Sequence, residues 1–102
     1  MTDLNHLIAV LKLYTEHNPV TSSSLEQKFE VTGAELRSYI RKLRRAGHPI
    51  ANSPFGYYYA KSYKEIEPTL QDLESRALSM LETVKKLKSN FSPAEQQQES
   101  LF

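Results

Sequence analysis

Residues 32–47 constrain this chain most. Thr32-Gly33-Ala34-Glu35 has the form of a capping box, in which a threonine hydroxyl and a glutamate three residues on each satisfy the other's backbone amide. Leu36, Ile40 and Leu43 then recur at steps of four and three, so one face of a helix is apolar and must be covered. Arg37, Arg41, Lys42, Arg44 and Arg45 fill the rest of the circumference, opposed only by Glu35. Gly47 and Pro49 end the helix, since glycine accepts a left-handed cap and proline cannot continue the ladder. An amphipathic helix with its back in a core and cations in front has the dimensions of a body that the major groove of B-DNA admits.

The segments on either side extend the pattern. Leu4, Leu7, Ile8, Leu11 and Tyr14 predict a first helix over residues 3–17, stopped by Asn18-Pro19. Thr21 or Ser23, the latter with Glu26 in capping-box position, opens a second helix carrying Leu25 and Phe29. Only a few residues separate it from the basic helix, a helix-turn-helix spacing. Behind Gly47, Ile50-Ala51-Asn52 and Tyr57-Tyr58-Tyr59 are β-prone runs joined by Ser53-Pro54-Phe55-Gly56, which signals a hairpin. Strand alternation sends Tyr57 and Tyr59 to one face and Tyr58 to the other; the inward tyrosines are expected to pack over the helices.

Ser62-Tyr63-Lys64-Glu65 is a second capping box, opening a last helix that runs to about Asn90 with Pro68 either inside it or at its first position. Ile66, Leu70, Leu73, Ala77, Met80, Val84, Leu87 and Phe91 alternate steps of four and three without a break, the heptad signature of an oligomerisation seam. Acids fill the first half of that helix and Lys85, Lys86 and Lys88 the second. The remainder, from Ser92, is polar and reads as a flexible tail that ends in Leu101-Phe102.

The predicted fold is therefore mainly α with a small β-hairpin, in three parts. Residues 1–61 form a helix-turn-helix domain with a wing, 62–91 a long heptad helix, and 92–102 the tail. The net charge of +1 conceals a strong local bias. Between Val31 and Lys64 stand Arg37, Arg41, Lys42, Arg44, Arg45, Lys61 and Lys64 against Glu35 alone, the electrostatic footprint of a nucleic-acid binder. The absence of cysteine excludes disulfides, thiolate metal sites and thiol nucleophiles. His6, His17 and His48 are scattered without metal-ligand spacing, and the three glycines serve turns, so neither a catalytic centre nor a cofactor site is expected. No apolar run approaches the roughly 20 residues of a membrane span, and no signal peptide is legible, which predicts a cytoplasmic protein.

Pro19-Val20-Thr21, the Leu25 and Phe29 pair, Val31-Thr32, the Arg44–Ile50 stop and Gly56-Tyr57-Tyr58 together resemble the winged helix-turn-helix domains of prokaryotic regulators of the biotin-repressor type. With its long helix, the chain is similar to small regulators of phages and mobile elements. The resemblance implies a dimeric transcriptional regulator on double-stranded DNA, with Gly33, Ala34, Arg37, Ser38, Arg41 and Lys42 in the groove. Arg37 and Arg41 would read guanine; Lys42, Arg44 and Arg45 would meet phosphates, as would Thr21, Ser22 and Ser23 at the start of the second helix. Asn52-Ser53-Pro54-Phe55 departs from the pattern, because the wing tip carries no Arg or Lys; Lys61 is the nearest substitute. Gln98, Ser100, Leu101 and Phe102 resemble the short motif by which bacterial replication proteins dock on the sliding clamp, with Glu99 where leucine is preferred. That alternative is an adaptor of replication rather than a regulator.

Overall fold

The computed structural model describes residues 3–96. In chain order it contains α1 (Leu4–Leu11), α2 (Ser22–Phe29), α3 (Gly33–Arg45), β1 (Ile50–Ser53), β2 (Gly56–Tyr59), α4 (Tyr63–Lys88) and α5 (Pro93–Gln96). The chain is mainly helical, with one two-stranded antiparallel hairpin and one long helix. It divides into two units, the boundary falling between Thr69 and Leu70, within α4.

The first unit is built on the apolar stripes of its helices. Leu7, Val10 and Leu11 of α1, Leu25 of α2, and Leu36, Ile40 and Leu43 of α3 meet in one core with Val20 and Ile50. Each fully buried leucine or isoleucine contributes about 1.5–3 kcal/mol over its exposed state, which is why the three- and four-residue spacing decides how the helices face. Asp3 caps α1 by accepting the amide of Asn5 at 2.9 Å. Thr21, not Ser23, caps α2, accepting from the amide of Ser24 at 3.2 Å. Glu26 therefore has no part in a capping box. Glu30 ends α2 in the left-handed region (φ 53°), and Val31 donates back to the Glu26 carbonyl.

The first helix is shorter than residues 3–17. It stops at Leu11, and the amides of Leu13 and Tyr14 close tight turns onto Val10 and Leu11. Thr15 and Asn18 then exchange backbone hydrogen bonds, with the Thr15 hydroxyl also accepting from Asn18. Threonine's local hydrogen bonding and the restriction that Pro19 places on Asn18 both compete with the helix. The early stop frees the Tyr14 carbonyl to accept from the amide of Tyr59.

The hairpin pairs Ile50 with Tyr59, Ala51 with Tyr58 and Asn52 with Tyr57. Val20 joins it as a single bridging residue, exchanging bonds of 2.8 and 2.7 Å with Tyr57. Gly56 makes that approach possible. At φ +140° its backbone lies so close to Val20 that a Cβ would overlap the Val20 carbonyl oxygen and stand 2.6 Å from the carbonyl carbon.

Both faces of the hairpin are covered. Ile50, Tyr57 and Tyr59 pack on the helical core, as expected of the inward tyrosines. Ala51 and Tyr58 form a second cluster with Ala60, against which Ile66 of α4 packs. Two side-chain hydrogen bonds tie the first turns of α4 to this face: the Tyr58 hydroxyl donates to the Glu65 carbonyl, and the Asn52 amide donates to Oγ1 of the buried Thr69. Ile66 is thus taken up inside its own domain, which corrects its placement in the oligomerisation seam. The α4 cap also differs from a reciprocal box. Ser62 Oγ accepts from the Glu65 amide, but the Glu65 carboxylate accepts from the amide of Lys61. The helix continues through Pro68.

In the second unit, α4 continues from Leu70 to Lys88 and every residue from Gln71 to Lys88 is exposed. Asp72 and Arg76 pair at 2.8 Å along its surface. The helix ends before Phe91, and Ser92 and Glu95 then form a capping box for the one-turn α5. Gln96 reaches back to the carbonyls of Lys88 and Phe91. This turn occupies the first residues of the segment read as a tail; Ser-Pro-Ala-Glu, with proline at the first helical position, is itself a start signal.

Candidate nucleic-acid interface

The basic face of α3 is shaped by what lies behind it. Leu36, Ile40 and Leu43 are at most 4% exposed, and Tyr39 packs beside them. The opposite side carries two adjacent rows at four-residue spacing: Gly33, Arg37, Arg41 and Arg45 in one, Ala34, Ser38 and Lys42 in the other. Arg37, Arg41, Lys42 and Arg45 are exposed. Among the described residues, none of these four has a carboxylate within 4.0 Å.

The start of α3 is held by the reciprocal box read from the sequence: Glu35 donates its amide to the Thr32 hydroxyl at 3.1 Å, and the Thr32 amide donates to the Glu35 carboxylate at 2.9 Å. The bond from the Thr32 backbone, and then the Thr32 side chain, hold the Glu35 carboxyl below its ordinary value of 4.5. Glu35 therefore stays ionised at the positive end of the helix dipole, and its charge is employed in fixing the helix start.

Arg44 is placed differently from its neighbours. Its Nε donates to the Ile50 carbonyl at 2.8 Å and its Nη2 to Asn52 Oδ1 at 3.1 Å, so the guanidinium braces β1 against α3. Two of the donor nitrogens of this member of the expected phosphate-facing group are committed inside the domain.

A second feature was not legible in the sequence. A Cβ on Gly33 would lie 3.3 Å from Arg37 Nη1 and 3.5 Å from Glu26 Oε1. The first row of α3 therefore begins beside a carboxylate contributed by α2. Glu26 and Arg37 are eleven residues apart in sequence, and only the α2–α3 packing brings them to one spot.

Of the hydroxyl cluster, Thr21, Ser22 and Ser23 are all exposed. The Thr21 hydroxyl accepts from the Ser24 amide and donates to Ser24 Oγ at 2.9 Å, so its hydrogen-bonding capacity is largely used locally. Thr21 and Ser22 face the hairpin tip across a cleft of about 260 Å³ whose far side is Asn52, Ser53, Phe55 and Tyr57. Among the described residues, no cation lines that cleft. Phe55, at the tip, is 76% exposed. Lys61 is exposed between the hairpin and α4, where its own amide is held by Glu65.

His6, His48 and Lys12 are engaged within the fold. His48 Nδ1 and the Tyr59 hydroxyl share a 2.9 Å hydrogen bond, Lys12 lies over the Tyr59 ring, and His6 packs edge-on to Phe29. Among the described residues no three His, Asp or Glu side chains gather as metal ligands would, and no helix is long and apolar enough to cross a membrane. Gln98, Ser100, Leu101 and Phe102 lie outside the described residues.

Compared with protein-family models, with curated proteins and with solved structures, the chain finds no match.

Proposed function

We propose that this protein is a winged helix-turn-helix DNA-binding protein, of the kind used in transcriptional regulation, that lays α3 in the major groove of double-stranded DNA. One observation carries the reading. Arg37, Arg41, Lys42 and Arg45 project from a helix whose other side is the domain core, and among the described residues no carboxylate pairs with them. A cluster of like charges destabilises the isolated domain through self-repulsion, and an external polyanion relieves it. At 13 residues α3 is about 20 Å long and, with side chains, about 10–12 Å across, which suits a groove roughly 12 Å wide.

Within that reading, Arg37, Ser38 and Arg41 occupy the first two turns and face base edges, while Lys42 and Arg45 meet phosphates. Gly33 and Ala34 keep the helix start slim where it enters the groove. Thr21, Ser22 and Ser23 offer the first amides of α2 to a phosphate, and Lys61 supplies a flanking cation. Arg44 holds the hairpin in place behind them.

Fluorescence anisotropy of the full chain on mixed-sequence duplex DNA, titrated through a salt series, tests this. About four phosphate contacts predict a loss of affinity of roughly 100-fold between 50 and 200 mM salt, at a slope near −0.9 per contact. Arg37→Ala and Arg41→Ala should each weaken binding about tenfold or more. Affinity that ignores salt, or that survives both substitutions unchanged, refutes the proposal.

A further inference from the structure

The part of α4 beyond Thr69 exposes a band of apolar side chains that its own unit does not cover: Met80 is 66% exposed, Leu81 61% and Leu87 61%, with Leu73 and Val84 alongside. Contiguous apolar surface of this length is uncommon on a protein that acts alone. Leu70, Leu73, Ala77, Met80, Val84 and Leu87 are the a and d positions of the heptads. Leu81, immediately after a d position, falls on the e flank and is as exposed as the seam itself.

We infer that this face binds the same face of a second copy of the chain, with the two helices antiparallel. The flanking residues select both partner and direction. When two heptad helices run parallel, the g flank of one meets the e flank of the other; when they run antiparallel, e meets e and g meets g. The e positions of the helix here are Glu74, Leu81 and Lys88, and the g positions are Arg76 and Thr83. A parallel pair would set Arg76 beside Leu81 and Thr83 beside Lys88, with no ion pair. An antiparallel pair sets Glu74 against Lys88 of the second copy and, by symmetry, Lys88 against its Glu74. Leu81 then meets Leu81 on the two-fold axis. The same alignment stacks Ala77 on Leu87 and Val84 on Met80, large beside small in these layers, while Leu70 and Leu73 lie beyond the partner's Lys88. It uses the residue that the seam alone leaves unexplained. Asp72 and Arg76 pair within one helix and stay outside this exchange. Leu78, on the outer flank, is not used by the pairing.

Sedimentation equilibrium of the full chain tests the occupant, and a charge exchange tests the geometry. The wild-type chain is expected to sediment as a dimer. Glu74→Lys should raise its dissociation constant by about tenfold, because two attractive pairs become repulsive. Glu74→Lys with Lys88→Glu in one chain should restore the wild-type constant to within about twofold. Because the chain has no cysteine, a nitroxide on Gln71→Cys reports direction independently. The antiparallel alignment separates the two labels by more than about 30 Å along the axis, and a parallel one by less than about 20 Å. A wild-type monomer at all concentrations would assign the face to a different protein and overturn the inference. So would a double exchange as weak as the single variant, or a short label distance.

Discussion

Gly56→Ala is the perturbation whose size the structure specifies best. Gly56 stands at φ +140°, and a Cβ there would overlap the Val20 carbonyl oxygen and lie 3.1 Å from the Thr21 amide. These neighbours are backbone atoms, so no flexible side chain can give way. To restore ordinary contact, β2 must retreat by about 1 Å from Val20. That movement breaks the reciprocal 2.8 and 2.7 Å bonds between Val20 and Tyr57, at about 0.5–1.5 kcal/mol each. The backbone conformation itself costs an L-residue about 1–3 kcal/mol. The expected loss is about 2–6 kcal/mol, a large share of the 5–15 kcal/mol typical of a small domain.

Gly47→Ala separates the two contributions, because Gly47 also has a positive φ of +99° but nothing within 4 Å of its would-be Cβ. It should show the conformational cost alone. Urea unfolding followed by far-ultraviolet circular dichroism gives both values on one scale. Gly56→Ala should be the weaker protein by about 1–3 kcal/mol, the worth of the lost bridge. If the two variants agree to within about 0.5 kcal/mol, the packing of β2 on Val20 does not hold the hairpin and the reasoning fails.

Three further outcomes follow from particular side chains. Arg44→Met keeps the aliphatic stem but removes the donors to Ile50 and Asn52; it should cost about 1–3 kcal/mol in the same unfolding assay. At temperatures where it stays folded, it should lower DNA affinity less than threefold, against about tenfold for Arg41→Ala; equal losses would return Arg44 to the binding face. Glu26→Gln removes the carboxylate beside the Gly33–Arg37 corner and should tighten DNA binding about two- to threefold at low salt, with the gain fading at high salt; weaker binding would show that Glu26 positions Arg37 instead. Glu35 binds its proton less tightly in the folded than in the unfolded chain, so its charge stabilises the fold above the ordinary value of 4.5 and that contribution is lost as pH falls through the lower folded value. The stability difference between the wild type and Glu35→Gln should therefore shrink as unfolding is measured from pH 6 down to pH 3, and a difference constant over that range would refute the assignment.

The residues themselves determined what depends on near neighbours. The capping box at Thr32 and Glu35 spans one turn, and the Leu36, Ile40 and Leu43 stripe repeats within three; short-range periodicity and local hydrogen bonds suffice to predict both. The hairpin came from Ser53-Pro54-Phe55-Gly56 for the same reason. The cationic surface of α3 was legible as soon as the buried stripe was assigned.

Only the tertiary structure decided which long side chains serve that surface and where each element stops. Arg44 and Arg45 are adjacent and chemically identical, yet one reaches across to β1 and the other does not; a strand that begins five residues later settles the matter. Ile66 obeys the heptad spacing of Leu73 and Met80, but the underside of the hairpin claims it and the buried Thr69 beside it. Glu26 meets the Arg37 corner because α2 packs on α3, and α1 ends at Leu11 because its carbonyls and Tyr14 are wanted by the turn and the hairpin. Periodicity records that a face must be buried. What buries it is set by residues distant in sequence, through contacts that exist only once the chain has folded.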